Sequence, residues 1–294
     1  MKHIRVVFFG SFQTYSVQVL KQLTKHFRVT AVVTTPPKPQ GRHLTVSPTP
    51  VELFARSHDM PVFAFDHLTA IPENMPKPDF FVVAGYGKRI PASWLTFPSV
   101  MAINVHQSLL PYYRGVFPAE WAILRGEKNS GITLLKMSPE FDTGEILVQK
   151  SLSIHPDDTR LTLYKKLYDL GGKLLVEYLP KIAKGQIVLV PQPAGRYFYA
   201  RRLTRQEGFV SWKEFEEALT NNPSSLDRKF RALVGWPSVW TRLPSLRSGA
   251  SGQATTPQGK RLILIALKPV PVVQLEGKKP VAWQQFRNAY LLTP

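Results

Sequence analysis

The chain has 294 residues, 44% of them apolar, and no cysteine, which excludes disulfides, thiolate nucleophiles and cysteine-ligated metal centres. Its 38 Lys and Arg against 20 Asp and Glu give a net charge of +18, which favours an acidic partner, nucleic acid above all. No apolar run approaches the roughly 20 residues of a membrane span, and Met1-Lys2-His3 does not open a signal peptide, so no membrane association and a cytoplasmic location are expected.

Residues 4–9 form a β-rich apolar run closed by Gly10-Ser11. Residues 16–23 space Val17, Val19, Leu20 and Leu23 for a helix, and residues 29–34 read as a second strand. Strands alternating with helices predict right-handed crossovers, hence an α/β fold with a Rossmann-like, doubly wound, mostly parallel sheet. Residues 80–84 and 102–105 supply further central strands. The first turn, Gly10-Ser11-Phe12-Gln13-Thr14, lacks the later glycines of a dinucleotide fingerprint, so the sheet need not hold NAD. Residues 36–50 carry Pro at 36, 37, 39, 48 and 50 with Gly41, and are expected to be a loop without regular structure.

Further on, residues 144–154 read as a strand, 162–184 as a long amphipathic helix through Leu163, Leu167, Leu170, Leu174 and Leu175, and 185–193 as its exit. The Arg-rich stretch 195–206 is the candidate connection. Residues 240–243, 262–267 and 270–275 then read as short strands of a small β-barrel. Residues 244–259 hold 10 Pro, Ser, Gly or Thr in 16, a low-complexity stretch that leaves the barrel abridged. Trp236-Pro237 and Trp240 are expected in the core of this second domain. The expected division is a catalytic domain over 1–188, a linker over 189–206 and a C-terminal domain over 207–294.

Chemistry concentrates in one span. Asn104-Val105-His106 ends a strand-like run, and residues two apart in a strand face the same side, so the amide and the imidazole should point together. In open α/β sheets ligands sit beyond the carboxyl ends of the strands, which is where this pair would lie. Asp142-Thr143-Gly144 follows; alone it is equally well an ordinary turn. The seven histidines show no metal-ligand spacing, so no metal is expected.

The intervening residues carry a resemblance. Asn104 to Gly115 (including Ser108-Leu109-Leu110-Pro111 and Tyr113-Arg114-Gly115), Trp121-Ala122-Ile123, Gly131-Ile132-Thr133 and Asp142-Thr143-Gly144-Glu145-Ile146-Leu147 resemble the folate-dependent formyltransferases. Phe8-Phe9-Gly10-Ser11, Gly41-Arg42, Val83-Ala84-Gly85-Tyr86-Gly87, Ala200-Arg201-Arg202-Leu203-Thr204 and Trp236-Pro237 are similar to the members of that family that act on initiator Met-tRNA. The resemblance implies 10-formyltetrahydrofolate as donor, the amine of initiator Met-tRNA as acceptor, and an OB-like tRNA-binding fold for the second domain. A monomer is expected.

It further implies a catalytic trio of Asn104, His106 and Asp142. A folate pocket would be built from Gly85, Tyr86, Gly87, Ile90, Ser108, Leu109, Leu110, Pro111 and Asp142. Val83 to Ile90 resembles the pterin-contacting segment, with Lys88-Arg89 replacing an apolar pair. Arg42, on the proline-rich loop, and Arg114 are the expected substrate contacts, Arg114 meeting a carboxylate, a phosphate or a structural partner.

In such a transfer, Asn104 would donate to the developing oxyanion. His106 would take the amine's proton or, when charged, stabilise the oxyanion, and Asp142 would orient the ring. Charge supports a tRNA acceptor: residues 196–294 hold 16 Lys and Arg against 6 Asp and Glu, net +10 in the shorter part of the chain. The alternatives are a sugar-nucleotide N-formyltransferase with the same trio, hydrolysis of the donor, and a catalytically silent RNA-binding adaptor on the same fold.

Overall fold

The computed structural model describes residues 3–40, 45–244 and 259–291. Seven strands build the central sheet: β1 (Arg5–Phe9), β2 (Arg28–Thr34), β3 (Val62–Ala64), β4 (Phe80–Val83), β5 (Met101–His106), β6 (Asn129–Lys136) and β7 (Ile146–Ser153). Their order is β7-β6-β5-β4-β1-β2-β3. The five strands from β5 to β3 are parallel, and β6 and β7 extend the sheet as an antiparallel pair. This is the mostly parallel α/β sheet expected from the strand-helix alternation.

The period of two in these strands divides the core. Val7, Phe9, Ala31, Val33, Phe81 and Val83 face one side, where they pack with Tyr86, Ile90 and Trp94. Helix α1 (Gln13–His26) buries Val17, Val19, Leu20 and Leu23. The long helix α2 (Arg160–Ala183) buries Leu163, Leu167, Leu174 and Leu175. A Cβ on Gly171 of α2 would come within 2.5 Å of Val105 Cγ1, so glycine lets the helix lie directly against β5, the strand that carries Asn104 and His106.

Two expectations are corrected here. The 36–50 segment is not wholly irregular: Lys38–Gln40 pairs antiparallel with Thr45–Ser47, and a helix begins at Pro50. A two-stranded ribbon has a free edge along each strand, where proline's missing N–H costs no ladder bond. Pro50 takes the first helical position behind Thr49, whose hydroxyl accepts from the N–H of Glu52. Gly41 and Arg42 lie outside the described residues.

The chain divides into two compact units: 1–118, 128–154 and 163–201 form the first, and 119–127, 155–162 and 202–294 the second. Within the stretch read as a linker, Tyr199–Ala200 returns to the first unit and pairs in parallel with Arg114–Gly115. The second unit holds a four-stranded antiparallel sheet in the order β8 (Val239–Arg242), β9 (Arg261–Ala266), β10 (Val272–Leu275) and β11 (Val281–Ala282). Its core joins Val239, Leu262, Leu264 and Val273 to Phe215 of α3 (Trp212–Asn221) and to Trp283 and Phe286 of α4 (Trp283–Tyr290).

The second correction concerns that core. Trp236 is 43% exposed, and half-buried Trp240 packs edge-on against Phe209 with its indole N–H on the Arg205 carbonyl. The core tryptophan is Trp283, placed on an amphipathic helix that the low-complexity stretch separates from Trp240. The low-complexity residues 245–258 lie outside the described residues. No helix among the described residues is long and apolar enough to cross a membrane.

Candidate active site

Strand β5 ends the parallel run of the sheet, and its carboxyl end delivers Asn104 and His106 to one place. Asp142 reaches them from the β6–β7 connection. Asn104 Nδ2 donates to Asp142 Oδ1 at 3.3 Å, and His106 Nδ1 lies 3.4 Å from the same oxygen. Asn104 and His106 thus converge on one oxygen of Asp142, which follows Asn104 by 38 positions.

The second carboxylate oxygen is also held. Gly115 donates its backbone N–H to Asp142 Oδ2 at 2.9 Å. Asp142 itself adopts φ +57°, a left-handed conformation that Asp tolerates better than most residues. Two residues later, Gly144 passes so close to β6 that a Cβ would sit 1.8 Å from the Lys136 carbonyl oxygen. The Asp-Thr-Gly turn is therefore fixed by a close backbone approach at its glycine and by the aspartate's own hydrogen bonds.

His106 is buried, 4% exposed, with Nε2 3.0 Å from the Tyr113 carbonyl oxygen. A carbonyl only accepts, so Nε2 carries a proton and Nδ1 is the nitrogen left to share or exchange a proton with Asp142. The backbone of the Ser108–Gly115 loop thus sets the tautomer.

That loop is fastened from below. Buried Thr133 donates its hydroxyl to the Ser108 carbonyl at 2.6 Å and accepts from Leu110 N–H at 3.1 Å, while Gln149 Nε2 donates to the Leu110 carbonyl at 2.7 Å and to Thr133 Oγ1 at 2.9 Å. Ser108 donates its own hydroxyl to the Tyr112 carbonyl at 2.7 Å. Ser108, Leu110 and Pro111 are buried, with Leu109 half-buried against the Cα of Gly131.

A cavity of about 450 Å³ lies beyond the carboxyl end of β4, lined by Asp66, Leu68, Lys88, Arg89, Ile90, Pro91 and Pro139, among others. Of the expected folate contacts, Ile90 lines it. Gly85 and Gly87 take φ +69° and +71° at the start of the same loop, and Tyr86 is buried in the core. Burial, and then the nearby charge of Asp66, push the Tyr86 phenol up to about 12. Ser108, Leu109, Leu110 and Pro111 do not line this cavity; Pro139, three residues before Asp142, links its rim to the trio's turn.

Arg114 has a structural partner: its guanidinium donates to Gln192 Oε1, from Nε at 3.0 Å and from Nη2. Gln192 in turn donates from Nε2 to the Asp142 and Gly144 carbonyls, each at 2.8 Å. The sequence reading missed Gln192, Thr133 and Gln149. A lone glutamine in the exit from a helix carries no pattern, and its partners stand 48 and 50 residues away. No group of three or more His, Asp or Glu able to hold a metal ion occurs among the described residues.

Residues 4–179 match the family described as formyl transferase. A methionyl-tRNA formyltransferase of Synechococcus sp. (strain JA-3-3Ab) is 40% identical over 225 residues, covering 74% of this chain and 70% of that protein. Another, of Myxococcus xanthus (strain DK1622), is 34% identical over 318 residues, covering 100% of this chain and 97% of its own length. The solved structure of a 4-N formyltransferase from Francisella tularensis shares the fold, with a TM-score of 0.60 at 14% identity over 83% of this chain and 94% of that one. Matched over more than half its length by the family and end to end by a relative, the chain belongs to the formyl transferase family.

Proposed function

We propose that this chain transfers the formyl group of 10-formyltetrahydrofolate to the α-amine of initiator Met-tRNA, acting as a cytoplasmic monomer. The observation that carries the chemistry is the convergence of Asn104 and His106 on one oxygen of Asp142. Relatives of 40% and 34% identity that are named methionyl-tRNA formyltransferases support the acceptor, as does the net charge of +18.

The donor supplies the formyl carbon. Attack by an amine builds negative charge on the formyl oxygen and positive charge on nitrogen. One Asn104 Nδ2 hydrogen is engaged by Asp142; the other is available to that oxygen, and one such preorganised donor is worth roughly 3 to 4 kcal/mol. Because His106 Nε2 is engaged by the Tyr113 carbonyl, the amine's proton is taken by the Asp142–His106 couple at Oδ1 and Nδ1. No covalent enzyme intermediate is needed, since a deprotonated amine is itself a competent nucleophile.

The cavity along Lys88 to Pro91 is the place we assign to the donor. Its lining sets apolar Leu68, Ile90, Pro91 and Pro139 beside Arg89 and a Lys88–Asp66 ion pair at 3.9 Å, which suits a flat molecule carrying both hydrogen-bonding groups and negative charge. Ile90, Gly85, Tyr86 and Gly87 frame that loop, while Ser108, Leu109, Leu110 and Pro111 support the wall beside the trio. The basic C-terminal part, 207–294, is assigned to tRNA binding, with Arg42 as a further contact.

Incubation of the purified protein with donor labelled in the formyl group and Met-tRNA tests this reading. The label should move to the aminoacyl end. Release of the label as formate, or its transfer only to an amino-sugar nucleotide, would overturn the assignment.

A further inference from the structure

Asp142 is held at both ends. Its side chain accepts from Gly115 N–H, and its backbone carbonyl accepts from Gln192 Nε2, which also holds the Gly144 carbonyl. The two N–H bonds of one amide therefore bracket Thr143 and fix the turn from which Asp142 projects. Gln192 is placed by a reciprocal backbone pair between Val190 and Ile146, at 2.8 and 2.9 Å.

The orientation of that amide is determined by its partners. Carbonyls only accept, so they require the nitrogen; a guanidinium only donates, so Arg114 requires the oxygen. Arg114 is the chain neighbour of Gly115. A closed ring of bonds thus runs from the Asp142 carboxylate through Gly115, Arg114 and Gln192 back to the Asp142 carbonyl.

We infer that Gln192 is a positioning residue for formyl transfer: oriented by Arg114, it locks the left-handed Asp142 turn so that one carboxylate oxygen meets both Asn104 and His106. This rests on the proposed transfer to Met-tRNA. Arg114 then serves the reaction by orienting the amide.

Glutamate at this position keeps an acceptor for Arg114, strengthened by charge, but offers no donor to the two carbonyls. Gln192→Glu and Gln192→Leu should both lower kcat by about tenfold to a hundredfold with KM for donor and tRNA near wild type, because a misplaced acid costs rate and not binding. Arg114→Met should lower kcat in the same manner without raising KM for tRNA, unlike loss of a phosphate contact.

Single-turnover transfer in an Asp142→Asn background supplies the coupling test. There Gln192→Leu should cost less than about twofold, since the group it positions is already impaired. Thermal midpoints measured alongside report folding, and Gln192→Glu is the variant expected to keep it. A kcat for Gln192→Glu within about twofold of wild type, or a Gln192→Leu loss that repeats in full beside Asp142→Asn, overturns the inference. If the unmutated protein moves no formyl group to Met-tRNA, the functional assignment fails instead.

Discussion

The backbone N–H of Gly115 donates to Oδ2 of Asp142 at 2.9 Å, across 27 residues of sequence. It leaves Oδ1 as the single oxygen that Asn104 and His106 share. The carboxylate is thereby divided between a structural and a chemical task.

Asp142→Asn separates the two. The new amide presents a nitrogen to one side where an acceptor is needed, either toward Gly115 N–H or toward Asn104 Nδ2. Turnover should fall by about two to four orders of magnitude, as for other groups that orient a catalytic histidine. His106→Ala should also abolish transfer while leaving tRNA affinity within about twofold, because the ring is buried and has no phosphate to meet. Parallel rate and gel-shift measurements check both. Substantial transfer by His106→Ala would remove the histidine from the mechanism.

Gly144→Ala addresses the turn. An added methyl would lie 1.8 Å from the Lys136 carbonyl oxygen and 3.0 Å from its carbon, both backbone atoms of β6 that cannot swing away. The expected loss is about 2 to 3 kcal/mol of stability, in the range of other overpacked sites, with activity falling further because Asp142 shifts with the turn. Urea unfolding and kcat together read this. A wild-type midpoint with wild-type turnover would show the strands part without cost.

What the sequence made legible follows its periodicities. The unbroken apolar runs Val6 to Phe9 and Ala31 to Val33 announced buried strands, and the two-residue spacing of Asn104 and His106 placed them together. Trp236 and Trp240 misled because aromatic content alone does not say which indole a later helix will cover. Gln192 was invisible for a related reason: its bonds, to the Asp142 and Gly144 carbonyls and to the Arg114 guanidinium, are long-range contacts made by the fold and unmarked by any local pattern. The ribbon at Lys38–Gln40 was missed because proline was read as a breaker, although an edge position tolerates it.

Charge makes a prediction about the acceptor. With +18 overall and +10 of it in residues 196–294, tRNA affinity should fall by at least about tenfold between 50 and 200 mM salt, as counterions released by several neutralised phosphates are returned. KM for the folate donor should change far less. Filter binding across a salt series gives the slope of log K on log salt. A flat line would mean that the positive field does not face phosphates.

Tyr86 offers a test of the core beside the cavity. Its ring meets Phe9 edge-on at 5.6 Å, and its hydroxyl is buried with no hydrogen-bond partner among the described residues. Removing an orphaned buried hydroxyl relieves a desolvation cost, so Tyr86→Phe should leave stability unchanged or raise it by up to about 1 kcal/mol at neutral pH. Burial, and then Asp66, hold the phenol at about 12 against its ordinary 10.0. Between those values the unfolded chain releases this proton while the folded chain keeps it. The folded state then binds more protons, and stability falls as pH rises through the window. Tyr86→Phe should remove that component, so its advantage over wild type should widen for a reason separate from the neutral-pH gain: above pH 10.0 wild type loses stability that the variant does not. Urea midpoints at pH 7 and near pH 11 (about one unit above the phenol's ordinary value) measure both effects. A destabilised variant at both would mean that the hydroxyl has a partner that matters.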